Sequence, residues 1–127
     1  MKNVIMTKNA PNPVGPYSQA IEINGMLFCS GQIAIVPATD EVLTGDIEVQ
    51  TRQVMSNIDA VLTEAGYSWS NIVKTTIFLT NMSDFSKVNA IYAEKFSERP
   101  PARSTVQVAA LPKNVNVEIE ILACKNA

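Results

Sequence analysis

No histidine occurs in this chain. Without imidazole it lacks the commonest general base and the commonest metal ligand. Ser-His-Asp and Cys-His catalysis are excluded with it, and no metal site is expected. Cysteine is nearly as scarce. Cys29 and Cys124 lie far apart and form neither a metal-type nor a redox-type spacing, which suits two buried thiols packing as small apolar residues. The ten lysines and arginines are scattered, the formal net charge is -2 and the pI is near 5.0. Nucleic-acid binding normally needs a clustered basic face, so no such partner is expected. No apolar stretch approaches membrane-spanning length, and no membrane partner is expected either. The opening "MKNVIMTKNAP" has no apolar core of the signal-peptide kind. The expectation is a cytoplasmic protein.

What is present is ordinary for a soluble globular fold: 127 residues, 46% hydrophobic and 17% charged. That length supports one domain, 1–127, with one core. "NAPNPVGPYSQ" (Asn9 to Gln19) carries three prolines and a glycine and reads as an ordered loop. Asn24-Gly25 between two short apolar runs is a strong hairpin signal, because both residues tolerate positive φ. "VPATDEVLTG" reads as a further turn region. From Asp46 the period changes. Ile47, Thr51, Val54, Ile58, Val61, Leu62 and Ala65 recur at helical steps, and Gly66 is the natural stop.

"NIVKTTIFLT" alternates as a strand, with Val73, Thr75, Ile77 and Leu79 on one face and Lys74, Thr76, Phe78 and Thr80 on the other. Ser83 or Asp84 is expected to cap a second helix whose apolar side is Phe85, Val88, Tyr92 and Phe96. Pro100 and Pro101 end it, and two strands follow, "RSTVQVAA" and "VNVEIEILAC". The order is hairpin, helix, strand, helix, strand, strand. It predicts an α+β domain with both helices on one sheet face and a ferredoxin-like echo between the halves. Thr76, Phe78, Thr105, Gln107, Glu118 and Glu120 are assigned to the other face. That set is too polar for a dry core, so the face is expected to meet another subunit and enclose a wet, functional space.

In "PPARSTVQV", Arg103 stands between two prolines and a strand. If the last two strands form an antiparallel hairpin, Arg103 lies beside Glu118 or Glu120. Two readings stay open. One is a structural cross-strand ion pair. The other is a carboxylate-binding arginine beside a glutamate that holds a water. Gly31 within "CSGQI" suggests a bulge or the close approach of a ligand, to which Ser30 could donate, or else a plain strand end. Tyr17, on the proline-stiffened loop, is either a packing anchor or a pocket wall, and Asn89 lies among the polar residues of the second helix.

Taken together and in this order, "GPYSQA", "CSGQI", "FLTNMSDFSKVNAIY", "PPARSTVQVAALPK" and "VEIEILA" resemble the RidA (reactive intermediate deaminase) family over nearly the whole chain. The resemblance implies a chorismate-mutase-like α+β domain that trimerises through its helix-free face, with sites in the clefts between subunits. It implies hydrolysis of 2-imino acids such as 2-iminobutanoate and 2-iminopropanoate, or their enamine tautomers, to 2-oxo acids and ammonia, with no metal or organic cofactor. By motif, Arg103 would bind the substrate carboxylate and Glu118 would position the attacking water. Tyr17, Ser30 and Gly31 would line the cleft, with Asn89 nearby. Thr105 stands where many members carry cysteine. The resemblance implies a role for the backbone carbonyl there, which threonine keeps. The lack of histidine fits, because a protonated imine is already electrophilic and needs only an aligned water and a place for charge. The alternative is a non-catalytic trimeric sensor of 2-oxo acids or related carboxylates. A role on RNA, which also attaches to the family, is disfavoured by the acidic composition.

Overall fold

The computed structural model describes all residues, 1–127. Eight strands and two helices follow in the order β1 (Asn3–Ile5), β2 (Ala20–Ile23), β3 (Met26–Gln32), β4 (Ile35–Val36), β5 (Glu41–Val42), α1 (Ile47–Ala65), β6 (Ile72–Leu79), α2 (Phe85–Ala93), β7 (Ala102–Gln107) and β8 (Val117–Cys124). Six strands form one mixed sheet in the order β1-β2-β3-β8-β6-β7, and β4 and β5 pair separately. β3 and β6 each pair antiparallel with β8. They therefore run parallel to one another with β8 inserted, and α1 makes the crossover between them. α2 makes a second crossover between β6 and β7, which pair in parallel. This is the α+β layout expected, two strand-helix-strand units with both helices on one face.

Local chemistry sets the boundaries. Asn24 and Gly25, at φ 51° and 75°, make the β2–β3 turn. The Asp46 carboxylate accepts from the amides of Glu48 and Val49 at 2.8 and 3.2 Å, capping α1. Gly66 ends that helix at φ 80°. Val54, Ile58 and Val61 of α1 and Val88 of α2 meet Leu27, Ile77, Val117 and Ile119 of the sheet, all essentially inaccessible to solvent. No helix is long and apolar enough to cross a membrane.

The structure departs from the sequence reading at several points. β1, β4 and β5 are two or three residues long, too short to display a period. The residue that starts the second helical segment is Asn81, whose side chain accepts from the Ser83 amide and opens a 3₁₀ turn leading into α2. Asp84 occupies the N-cap position of α2, but its side chain makes no capping hydrogen bond, and Ser83 lies within the 3₁₀ turn. Phe96 lies beyond α2 but packs on Tyr92, with ring centroids 4.7 Å apart. A register shift between Ile72 and Lys74 sends Ile72 inward and leaves Val73 36% exposed.

The largest departure concerns the last two strands. They do not form a hairpin, because β6 lies between them. The connection from Val108 to Asn116 crosses the end of the sheet and includes two consecutive left-handed residues, Lys113 (φ 60°) and Asn114 (φ 58°). Arg103, Thr105 and Gln107 sit opposite Thr75, Ile77 and Leu79 in the register. Those three partners are buried under the helices. Directly opposed residues share a face, so Thr105 and Gln107 belong to the helix side. Glu118 and Glu120 sit opposite Phe78 and Thr76 on the other face. That face also presents Phe28 and Val106, 46% and 41% exposed.

Candidate active site

The end of β3 and the start of β8 meet at a cavity of about 110 Å³, whose walls include Pro11, Val14, Tyr17, Gly31, Ile33 and Glu118. Gly31 lies where the β3–β8 register shifts, between Cys29 and Gln32. A β-carbon at position 31 would stand 2.8 Å from Glu118 Cδ and 3.0 Å from its Cγ. Any larger residue would displace the Glu118 side chain, which lies against the Gly31 backbone; the torsion angles at Gly31 do not themselves call for glycine. The carboxyl is half-buried. Its pKa is raised above the ordinary value, first by burial and then by the negative charge of Glu120. A carboxylate so placed is a stronger base than a solvated one.

Tyr17 stands on this wall and remains 53% exposed. Ser30 does not line the cavity. Its hydroxyl donates to Ser18 O at 2.6 Å, and its amide donates to Gln19 O at 2.9 Å. Ser30 therefore clips the Tyr17 segment onto β3.

A second hollow, of about 410 Å³, lies at the β7 edge between Asn89, Tyr92, Phe96, Pro100, Pro101 and Arg103. Arg103 Nη1 donates to Asn89 Oδ1 at 2.7 Å. Its guanidinium carbon lies 5.3 Å from the Phe85 ring centre and 5.1 Å from that of Tyr92. The Tyr92 hydroxyl is in turn bonded to Thr75 Oγ1 at 2.7 Å in the core. Asn89 thus aims the arginine. The chain's ion pairs are Arg52–Glu94 at 3.1 Å and Lys125–Glu22 at 3.3 Å. Arg103 takes part in neither, so the cross-strand ion pair left open by the sequence is not formed. What remains is an exposed, oriented guanidinium with donors to spare.

Thr105 lines neither hollow, and its hydroxyl is buried without a hydrogen-bond partner. The sequence reading also missed several contributors. By spacing alone Phe85 and Tyr92 belong to the apolar side of the helix, yet they form the platform under Arg103. Gln19 and Lys113 were not singled out, although both stand in the wall of the Glu118 cavity and both lie in the quoted motifs "GPYSQA" and "PPARSTVQVAALPK".

The two hollows do not join within one chain. Arg103 projects toward the helix side at one edge of the sheet. Glu118 lies on the opposite face, beyond β6. Glu118 is the carboxylate of the first hollow, whose wall also carries Asn12, Gln19, Gln32 and Lys113, and Arg103 with Asn89 supplies the polar groups of the second. No cluster of three or more acidic, cysteine or histidine side chains stands ready for a metal ion.

Residues 7–125 match the family model described as Endoribonuclease L-PSP. A RutC family protein of Pyrococcus horikoshii is 54% identical, over 98% of this chain and 99% of its own length. Reactive Intermediate Deaminase A, chloroplastic, of Arabidopsis thaliana is 47% identical, over 96% of this chain and 65% of its own. Among solved structures, a Rid-family protein of Yersinia pestis superimposes with a TM-score of 0.95 at 58% identity, covering 98% of this chain and 99% of that one.

Proposed function

The chain belongs to the Rid family, the one whose model is described as Endoribonuclease L-PSP, and on that footing we propose that it hydrolyses reactive 2-imino acids, or their enamine tautomers, to 2-oxo acids and ammonia. The name of the Arabidopsis relative, a reactive intermediate deaminase, supports the reading. The observation that carries it is the pairing of functions across the two hollows. One holds a half-buried carboxylate against the Gly31 backbone, and the other holds an arginine aimed by Asn89 and free of any carboxylate partner. An anion-binding sensor would use the second group and gain nothing from the first. An RNA-cleaving site would bring phosphates toward Glu118 and Glu120, whose charges repel them.

Because the two groups sit on opposite faces, the reading requires a second copy. The helix-free face, with Phe28, Phe78 and Val106 among its polar residues, is the proposed contact in a homotrimer. The Arg103 hollow of one copy then faces the Glu118 cavity of the next. Arg103 grips the substrate carboxylate through two parallel N–H donors. Glu118 accepts a proton from the attacking water as the new C–O bond forms at the protonated imine carbon. It returns that proton to nitrogen, the C–N bond breaks, and the carbinol oxygen becomes the ketone. The hydroxyl proton passes through Glu118 to the departing ammonia, giving ammonium. The chemistry asks for positioning and one base, which suits a chain without histidine. The thiols of Cys29 and Cys124 are both free, in keeping with action in the reducing cytoplasm.

The test couples an amino-acid oxidase to the purified protein and follows decay of the released imine by semicarbazide trapping. Faster decay of 2-iminopropanoate, abolished in Glu118→Gln, is the expected result. A decay rate no different from buffer, with the protein folded, would overturn the proposal.

A further inference from the structure

One buried side chain in the wall of the Glu118 cavity has no role in the chemistry above. Gln19 is 1% exposed. Its Oε1 accepts from the Thr7 amide at 2.7 Å. Its Nε2 lies within donating distance of three carbonyls, Thr7 O at 3.0 Å, Pro11 O at 2.9 Å and Ala10 O at 3.3 Å. Between Thr7 and Ser18 the only backbone–backbone bond is from the Tyr17 amide to Gly15 O. The three prolines in this segment supply no donors. Besides the Asn9 amide's bond to Thr7 Oγ1 at 3.1 Å, the segment has its shape from the Gln19 amide, which bonds back to its start, and from the Ser30 clip at its end. Pro11, Val14 and Tyr17 from this segment, with Ile33 and Ile35 opposite, are the apolar part of the cavity that Glu118 enters.

We infer that Gln19 is a positioning residue for substrate side-chain recognition. It holds Pro11 to Tyr17 as the apolar wall against which the side chain of a 2-imino acid packs while Glu118 serves the imine carbon. The inference rests on the imine-hydrolase reading. A group acting only on global stability would weaken all substrates alike. A group that shapes this wall affects large apolar side chains most, because the smallest substrates barely reach it.

The test compares imines made by an amino-acid oxidase from leucine and from alanine, using Gln19→Met, which keeps the length and removes every bond. The ratio of kcat/KM for the leucine-derived over the alanine-derived imine should fall about tenfold, mainly through KM, the low end of what one methylene is worth against a pocket wall. A ratio within about twofold of the parent's, in a folded variant, would overturn the inference. Amide exchange separates this outcome from failure of the underlying reading. If the parent hydrolyses neither imine, the reading falls. The Thr7 amide must still exchange far more slowly than that of Asn12 in the parent, and an equal rate would overturn the positioning role. Should Gln19→Met not fold, Val14→Ala decides together with the Thr7 amide. It trims an exposed part of the wall and must lower the same ratio, and an unchanged ratio counts against the inference.

Discussion

Gly31→Ala moves the Glu118 carboxylate without removing it. The added methyl would lie 2.8 Å from Cδ and 3.0 Å from Cγ, with one carboxylate oxygen closer still. Carbon atoms settle at about 3.5–4.0 Å, so the end of the Glu118 side chain must retreat by roughly 1 Å. That end is flexible, and the backbone at Gly31 is not left-handed. In a strand, alanine is favoured over glycine by about 0.5–1 kcal/mol, which offsets much of the rotamer cost. Stability should change by less than about 1 kcal/mol, a few degrees in Tm. A misplacement of about 1 Å at a reacting group costs on the order of 100-fold in rate, or about 2.7 kcal/mol in the barrier. The assay is steady-state kinetics on oxidase-generated 2-iminopropanoate beside a thermal melt. Gly45→Ala is the control, because Gly45 has φ 91° with nothing within 4 Å. It should lower Tm and leave kcat/KM alone. A Gly31→Ala protein with kcat/KM within about threefold of the parent would refute the claim that this glycine exists to seat the carboxylate.

Co-expressing Arg103→Ala and Glu118→Ala chains in equal amounts should restore about one quarter of parental activity, because a site shared by neighbouring copies is intact when each copy supplies its good half. No restoration in mixed oligomers would mean that each site lies within one chain. Arg103→Lys should cost about 100-fold in kcat/KM at unchanged Tm, roughly 3 kcal/mol, since lysine cannot make the planar two-donor grip, and near-normal turnover would sink the clamp. The acid limb of the pH–rate profile should lie above the ordinary carboxylate value, because Glu118 must be ionised to act and its pKa is raised. Glu120→Gln should move that limb to lower pH, and an unmoved limb would assign it to another group. A raised folded-state pKa means that Glu118 contributes stability below its unfolded pKa and loses it as pH rises through the folded one. At neutral pH, Glu118→Gln should therefore be inactive and at least as stable as the parent by thermal melt. Thr105→Val removes a buried hydroxyl that has no partner, so Tm should hold or rise with kcat/KM within about threefold of the parent, and a large kinetic loss would give that hydroxyl a part in the site.

The elements with a clear period were legible in the sequence. The step pattern from Ile47 to Ala65 and the stops at Asp46 and Gly66 are written in side-chain chemistry within a few residues of each other. Strand order was not legible, because β7 finds its partner through the α2 crossover, and right-handed βαβ geometry decides that at long range. Taking β7 and β8 as a hairpin put Arg103 beside the glutamates, when β6 separates them. The motifs name Gly31 and Glu118, which meet at one cavity, and Arg103 and Asn89, which are bonded to each other. They could not say that the Ser30 hydroxyl is turned to a carbonyl, nor that the Thr105 hydroxyl faces into protein, since both depend on one rotamer in one packed neighbourhood.

If the site is completed between copies as proposed, the separation of the two hollows across the sheet ties catalysis to mass action. On the proposed assembly, a newly made chain is folded but inert until it meets others. The population of complete sites then follows the third power of free-chain concentration at high dilution. Output would stay negligible at trace expression and climb steeply past the association threshold, so the gene's dosage, more than any effector, would determine when the chemistry switches on.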